Sequence, residues 1–346
     1  MKTYLSFWGK ARANLQNEPS YHPLAYHCLD VAAVADALFA ANPRRLSALA
    51  NLLQTTSENA RRVLLCLIAL HDVGKFTSAF QSKSVDAWPV DVLGVHVPLD
   101  GGRHDEDGYA MGGFLEFRAL MPNAFTEWER SEIFTLWAAT TGHHGKPATA
   151  RGPDGLQQIK HFKILERGAA QSFAKDVAEL FGPFSSIPVP LPRNLAICSW
   201  ALAGLTVISD WIGSDRSKFP YTKPTFDIQG YWAKAQTIAR AAVAQSGILP
   251  VEAASNNESR LLLSNFDPSP LQRMALKIAL PEAQMLAIVE DTTGSGKTEA
   301  ALLIAARLLA DGRADGLFFA LPTMATANAM YQRLARNAAN ARTCVA

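Results

Sequence analysis

Leu67-Ile68-Ala69-Leu70-His71-Asp72-Val73-Gly74-Lys75 runs an aliphatic series straight into a histidine and an aspartate placed side by side. At the end of an apolar helix, two such side chains can project into a cavity lined by other helices, and Gly74 lets the backbone turn away just beyond them. Taken alone, the dipeptide has a plainer reading as a partly buried histidine bonded to its neighbour. Its meaning depends on whether other histidines of the chain form a set with it.

Upstream, Pro23 opens a helical pattern in which His27, Val31, Val34 and Leu38 recur at spacings of four, three and four. That period puts His27 on the apolar face of a helix ending near Asn42-Pro43. A second helix, from about Arg61 to Leu70, carries Val63, Leu67 and Leu70 on one stripe, which His71 continues. From Lys75 to Asp107 the chain is rich in Gly, Pro and Asp and reads as loop with short turns. His104 falls in the last part of that loop, within Gly101-Gly102-Arg103-His104-Asp105, ahead of a helix from about Gly108; His96 is its nearest rival. Ser131 reads as the N-cap of a helix holding Ile133, Phe134, Leu136 and Trp137, which closes at Thr140-Thr141-Gly142-His143-His144-Gly145. Histidines paired between glycines can present imidazoles in two directions, and Lys146 to Gly155 is expected to form a mobile basic loop beside them. A helix from about Asn194 to Ile212 is uncharged until Asp210, with Ala196, Ala203 and Val207 on roughly that residue's side. A carboxylate at the end of a buried helix needs a partner, either an arginine or cap, or a metal.

The chain has 346 residues, 49% hydrophobic, enough for one large or two medium globular domains. A formal charge of +2 means that any nucleic-acid site must come from a local patch. Cys28, Cys66, Cys198 and Cys344 lack zinc-knuckle or disulfide spacing and read as core residues in a reducing compartment. Met1 to Asn14 carries Lys2, Lys10 and Arg12 without an apolar core, so no secretory signal is evident. The longest uncharged apolar stretch, Leu195 to Ser209, falls short of the roughly 20 residues that span a bilayer and reads as a buried helix. The expectation is a cytoplasmic protein with no membrane partner.

Composition shifts after about Gly247. Ser255-Asn256-Asn257-Glu258-Ser259 looks like a linker. Beyond it, Gln284 to Val289 reads as a buried strand, Thr298 to Leu309 as a helix and Leu317 to Leu321 as a second strand, a βαβ unit. Its turn, Thr292-Thr293-Gly294-Ser295-Gly296-Lys297-Thr298, has the residues of a phosphate loop. Thr293, Gly294, Ser295 and Gly296 would surround phosphates, Lys297 would neutralise them and Thr298 would help to hold Mg²⁺. Asp291 stands where glycine or alanine is usual, and an acid there is expected to weaken nucleotide affinity. This segment resembles superfamily 2 helicases: Pro270-Leu271-Gln272 is similar to the adenine-reading glutamine motif, and Ala320-Leu321-Pro322-Thr323 to the first DNA-contacting motif. Gln272 would then read ATP, and Pro322 and Thr323 would meet DNA. The chain as given contains no Asp-Glu metal motif after the second strand and no second RecA-like lobe, so it is expected to hydrolyse ATP poorly or not at all and not to unwind DNA.

His27, His71, Asp72, His104, His143, His144 and Asp210 make seven candidate ligands on separate helices and loops. Such a set suits two divalent metals about 3.5 to 4 Å apart, with Asp72 bridging and a bridging water acidified to a nucleophile for phosphodiester hydrolysis. Imidazole-rich ligation favours Mn, Fe, Co, Ni or Zn over Mg. The stretches around His27 (Tyr26 to Ala32), His71 (Ala69 to Lys75), the histidine pair (Thr141 to Gly145) and Asp210 (Ser209 to Gly213), with the helicase motifs, resemble the N-terminal part of the CRISPR-associated HD nuclease/helicase of type I systems.

That resemblance implies a mainly α fold, an HD-domain helical bundle over residues 1–250, followed by a truncated α/β RecA-like segment over 251–346. It implies one metal held by His27, His71, Asp72 and Asp210, and a second by His104, His143 and His144 with Asp72. Lys75 would stabilise substrate phosphate. The Arg103-His104-Asp105-Glu106 context departs from the Asn-His-Gly that the family carries around its loop ligand. The implied partners are single-stranded DNA, nicked and then degraded, a crRNA-guided surveillance complex and inhibitor proteins; ATP with Mg²⁺ serves the complete helicase. Two other classes stay open: a phosphohydrolase acting on nucleotides, and a non-catalytic module that binds the effector complex.

Overall fold

The computed structural model describes residues 2–11, 19–99, 103–148, 162–249, 267–283, 285–314 and 316–341. The basic loop beyond Ala148, the Ser255 to Ser259 linker and Cys344 lie outside them. The chain divides into two compact units, Met1–Ser246 and Gly247–Ala346.

In the first unit a short antiparallel ladder of β1 (Trp8–Ala11) and β2 (Tyr21–Pro23) leads directly into α1 (Leu24–Ala41). Residues Leu24 to Phe39 of α1 are all buried. Alanines at 25, 32, 33, 35 and 37 explain how neighbours can close on every side of one helix. Those neighbours are α3 (Ser57–Ile68), α7 (Pro192–Gly213) and α8 (Ile228–Ala244), while α2 (Pro43–Leu52) packs on α3. His22 and Asp30 are buried between β2, α1 and α8: His22 Nε2 lies 2.9 Å from Asp30 Oδ2, and the Tyr231 hydroxyl donates to Asp30 Oδ1 at 3.0 Å.

α3 starts four residues before the expected Arg61, because the Thr56 hydroxyl caps it by accepting the Asn59 N–H at 3.2 Å. It stops at Ile68, so His71 and Asp72 sit in the tight turns that follow, ahead of a 3-10 turn over Val73–Phe76. α4 (His104–Met111) begins at His104 rather than near Gly108, with Asp105, Glu106 and Asp107 favourably placed in its first turn. α5 (Arg130–Thr141) is capped by Glu129, not Ser131: the Glu132 side chain reaches back and accepts the Glu129 N–H at 2.7 Å. α6 (Ile164–Phe181) packs on α3, α8 and the 3-10 turn.

The expectation that the Asn194 to Ile212 helix is buried holds on one face only. Leu195, Cys198, Leu202, Leu205, Thr206 and Ser209 of α7 are buried, whereas Trp200 and Trp211 are each 72% exposed. An uncharged helix sequence does not say which face finds a partner. By length and apolarity both α1 and α7 could cross a bilayer, but α1 is enclosed within its own unit.

The second unit holds α9 (Pro270–Lys277), α10 (Lys297–Ala310) and α11 (Met324–Ala341). Leu271, Leu276, Val289 and Ile304 pack around a small core of Ala275, Ala300 and Leu303. The strands expected at Gln284 to Val289 and Leu317 to Leu321 are not formed among the described residues. Leu286 is 88% and Phe318 89% exposed, and the β1–β2 ladder is the only described sheet. A strand is defined by its partner, and neither segment has one among the described residues.

Gly74 has a role different from the expected turn. A Cβ at this position would collide with the His104 carbonyl oxygen and the Gly108 nitrogen, so its bare backbone lets the 3-10 turn lie directly against α4. Gly74→Ala is therefore expected to destabilise the first unit by about 1–3 kcal/mol through overpacking, read as a lower urea midpoint. An unchanged midpoint would show that α4 yields freely.

Candidate metal centre

Six chain segments deliver side chains to one buried point. His27 comes from the first turn of α1, His71 and Asp72 from the turns after α3, Lys75 from the 3-10 turn, His104 from the first residue of α4, His143 and His144 from the turn after α5, and Asp210 from the last turn of α7. Asp72 is at the centre, with 0% exposure. Its Oδ2 lies 3.1 Å from His27 Nε2 and 3.3 Å from His71 Nε2. Its Oδ1 lies 3.4 Å from His104 Nε2 and 3.5 Å from His143 Nε2. One carboxylate thus faces two imidazole pairs, one on each oxygen.

The first pair is completed by Asp210, whose Oδ1 is 3.4 Å from His27 Nε2 and 3.9 Å from His71 Nε2. The second is completed by His144, whose Nε2 lies 2.9 Å from His104 Nε2. The potential ligand atoms of His27, His71 and Asp72 lie within 4.8 Å of one another, as do those of His104, His143 and His144. His144 is exposed and His104 half-buried, so solvent reaches the second group first. His96 stands apart, bonded to the Ser82 carbonyl at 3.1 Å and edge-on to Trp88.

Hydrogen bonding fits this cluster for a metal. The Nδ1–H of His71 donates to the Ile68 carbonyl at 2.9 Å, which leaves the Nε2 lone pair aimed into the cluster. His71 Nε2 and Asp72 Oδ1 are buried without a hydrogen-bond partner. Two orphaned acceptors side by side are costly unless a cation meets both.

The electrostatics agree with that donor set. Burial acts to raise the Asp72 carboxyl, but Lys75, which contacts Oδ2, together with His71 and His27, outweighs it and holds Asp72 well below the usual carboxylate range. Asp210 is likewise held low, with burial opposed by its contacts to His27 and His71. Burial pushes His143 down to about 3 and His104 to about 4, and lowers His27 as well. These imidazoles are neutral near pH 7, as ligation requires.

All seven candidate ligands and Lys75 come together. Two neighbours escaped the sequence reading: Ser214 just beyond α7, which bonds Asp210, and Lys10 on β1, which bonds Ser214. Ser214 lies one helical turn after Asp210, a spacing that could have flagged it; nothing local to Lys10 points there.

In the second unit the glycine-rich turn Thr293 to Gly296 leads into α10, and both Gly294 (φ 87°) and Gly296 (φ 88°) adopt the left-handed conformation open to glycine. Lys297 Nζ donates to the Asp291 and Thr292 carbonyls at 2.7 Å each, and Thr298 follows it on α10. Gln272 packs against this loop, its Nε2 3.5 Å from the Gly296 carbonyl. Pro322 and Thr323 are exposed just before α11, where the Thr323 hydroxyl accepts the Thr326 N–H at 3.2 Å.

Residues 8–219 match the family model for the HD domain of Cas3, and residues 269–346 that for DEAD/DEAH box helicases. The CRISPR-associated endonuclease/helicase Cas3 of Escherichia coli (strain K12) is 30% identical over an alignment covering 96% of this chain and 40% of that protein. A crystal structure of a CRISPR-associated protein matches with a TM-score of 0.70 at 25% identity, covering 98% of this chain and 38% of that one. The Thermus thermophilus cas3 HD domain, crystallised in the presence of Ni²⁺, matches with a TM-score of 0.50 at 26% identity, covering 71% of this chain and 92% of that domain. The chain therefore spans 40% of the length of the E. coli relative.

The depressed histidines fix a pH dependence. An unfolded histidine titrates near about 6.5, whereas folded His104 and His143 take up protons only near about 4 and 3. Between those values the unfolded chain binds more protons, so acidification favours unfolding. The melting temperature of metal-stripped protein should fall as pH drops from 6.5 to 4, and His143→Gln should flatten that slope; parallel pH profiles for the two proteins would contradict the assignment.

Proposed function

The chain belongs to the Cas3 HD-domain family, and from that premise we propose that it is a metal-dependent nuclease hydrolysing the phosphodiester bonds of single-stranded DNA in a type I CRISPR interference system. The observation that carries this reading is Asp72, whose two oxygens each face a pair of imidazoles inside the unit. His27, His71, Asp72 and Asp210 would hold one divalent transition metal, and His104, His143, His144 and Asp72 the other. Mn, Fe, Co or Ni suit this donor set, and Zn is compatible with it. Such a pair supplies Lewis acidity and an activated water when bound.

The chain's own residues prepare the reaction. The Ile68 carbonyl holds the His71 ring so that Nε2 faces inward. Burial keeps His104 and His143 neutral. Lys75 places an ammonium beside Asp72, where it balances the carboxylate and lies within the field of an incoming phosphate. The exposed His144 side admits a flexible strand, whereas the buried His27–His71 side excludes bulk water. Hydrolysis then breaks one P–O bond, with water supplying the oxygen and the departing alkoxide taking a proton.

Gln272, Thr293, Gly294, Ser295, Gly296, Lys297 and Thr298 are proposed to take ATP with Mg²⁺, and Pro322 and Thr323 to meet the DNA backbone. A crRNA-guided surveillance complex would deliver the strand in the cytoplasm, and inhibitor proteins that cover the metal centre are natural antagonists.

The deciding experiment incubates the chain with circular single-stranded DNA and Mn²⁺ or Ni²⁺ in the absence of ATP. Degradation is expected, and Asp72→Ala should abolish it by removing the shared ligand of both groups. DNA left intact under every divalent metal, with phosphate released from deoxynucleotides instead, would move the substrate class to small molecules. In the second unit, the Asp291 carboxylate is exposed beside the loop and should repel the phosphates by on the order of 1 kcal/mol. Asp291→Ala is expected to tighten ATP binding by roughly fivefold in a fluorescent-nucleotide titration, and equal affinity would dismiss that repulsion.

A further inference from the structure

Asp210 differs from the other carboxylate of the centre in how it is held. Asp72 is enclosed by imidazoles and Lys75, whereas Asp210 is a half-buried side chain at the end of α7. Its Oδ1 nevertheless accepts a hydrogen bond from the Ser214 hydroxyl at 2.8 Å. The same hydroxyl oxygen accepts from Lys10 Nζ, also at 2.8 Å. The chemistry of the three groups dictates the direction. An ammonium has no lone pair to offer, so Lys10 must donate; a carboxylate has no proton, so Asp210 must accept; and the single serine hydrogen is left for Asp210.

We propose that Lys10 and Ser214 are positioning residues for the metal centre, forming a one-way donor relay from β1 that fixes the Asp210 carboxylate in the orientation facing His27. This rests on reading the seven-residue cluster as a metal centre. The relay restrains a specific atom: the oxygen bonded by Ser214 is the one 3.4 Å from His27 Nε2 and 3.9 Å from His71 Nε2. The Ser214 N–H also bonds the Asp210 carbonyl at 2.8 Å, so backbone and side chain of the two residues are locked together at the helix end. Lys10 is separated from Ser214 by 204 residues. Its contact ties the edge of the β1–β2 ladder, adjacent to the start of α1 and hence to His27, across to the end of α7. A ligand oriented before the cation arrives loses less freedom on binding, so the relay should appear as affinity.

The test is calorimetric titration of the metal-stripped chain with Ni²⁺ alone, alongside its urea unfolding. Ser214→Ala and Lys10→Met should each weaken Ni²⁺ binding by about 10- to 100-fold. Ser214→Thr, which keeps the hydroxyl, should restore it. Because Lys10 reaches Asp210 only through the Ser214 hydroxyl, the double variant should bind no more weakly than Ser214→Ala, whereas independent structural contributions would add. Ni²⁺ affinity that is unchanged in both single variants, or affinity that falls only in proportion to a loss of metal-free stability, overturns the relay while leaving the metal centre intact. A parent chain that binds no Ni²⁺ overturns the metal-centre reading and the relay with it.

Discussion

A fully buried carboxylate is among the most expensive groups that a fold can hold, and Asp72 is one. It is tolerated because Lys75 and imidazoles from α1, the α3 turn, α4 and the α5 turn all reach it. No two adjacent elements could supply that many partners. The first unit is accordingly a set of helices whose ends converge, and each candidate ligand lies in a first turn, a last turn or the loop just beyond. Helix ends suit this task, because side chains there can point along the axis into a shared space while the helix bodies pack away from it.

The convergence has a steric condition as well as an electrostatic one. α1 carries His27 and is buried on every side, so its position is set by α3, α7 and α8 together. Small residues make this possible: alanines along α1, and Gly213, where a Cβ would press on Val31. Gly74 does the same for the approach of α4, which brings His104 to the Asp72 side of the cluster. The cluster depends on bare backbone at a few contact points as much as on the side chains that converge in it.

Local patterns in the sequence carried most of this. The four-three-four spacing after Pro23 marked α1 and put His27 on an inward face, and the glycine-flanked histidine pair marked the end of α5. What escaped were features decided by partners distant in sequence. The start of α4 at His104 depends on how the preceding loop is held, and the exposed Trp200 and Trp211 depend on what packs against α7. Lys10 depends on a residue 204 positions away. The second unit shows the same division. The glycine-rich turn forms because left-handed glycines and a helix start are local choices, whereas the expected strands at 284–289 and 317–321 need neighbours to pair with and lack them among the described residues.

Burial alone would not have told candidate ligand histidines from structural ones. His22 and His71 are 2% and 0% exposed, and both lie close to an aspartate. Their second nitrogens separate them. His22 is satisfied on both sides, with Nε2 against Asp30 and Nδ1 accepting the Thr222 N–H at 3.2 Å, so nothing remains to offer a cation. His71 commits Nδ1–H to the Ile68 carbonyl and leaves Nε2 unpartnered in a pocket without bulk water. An unpaired buried acceptor costs about 1–3 kcal/mol. One such atom could be a local imperfection, but His71 Nε2 and Asp72 Oδ1 are orphaned within the same cluster, with Asp210 and three further imidazoles around them. A fold that satisfies His22 completely, yet leaves these neighbouring acceptors open, has the arrangement that the proposed metal centre requires.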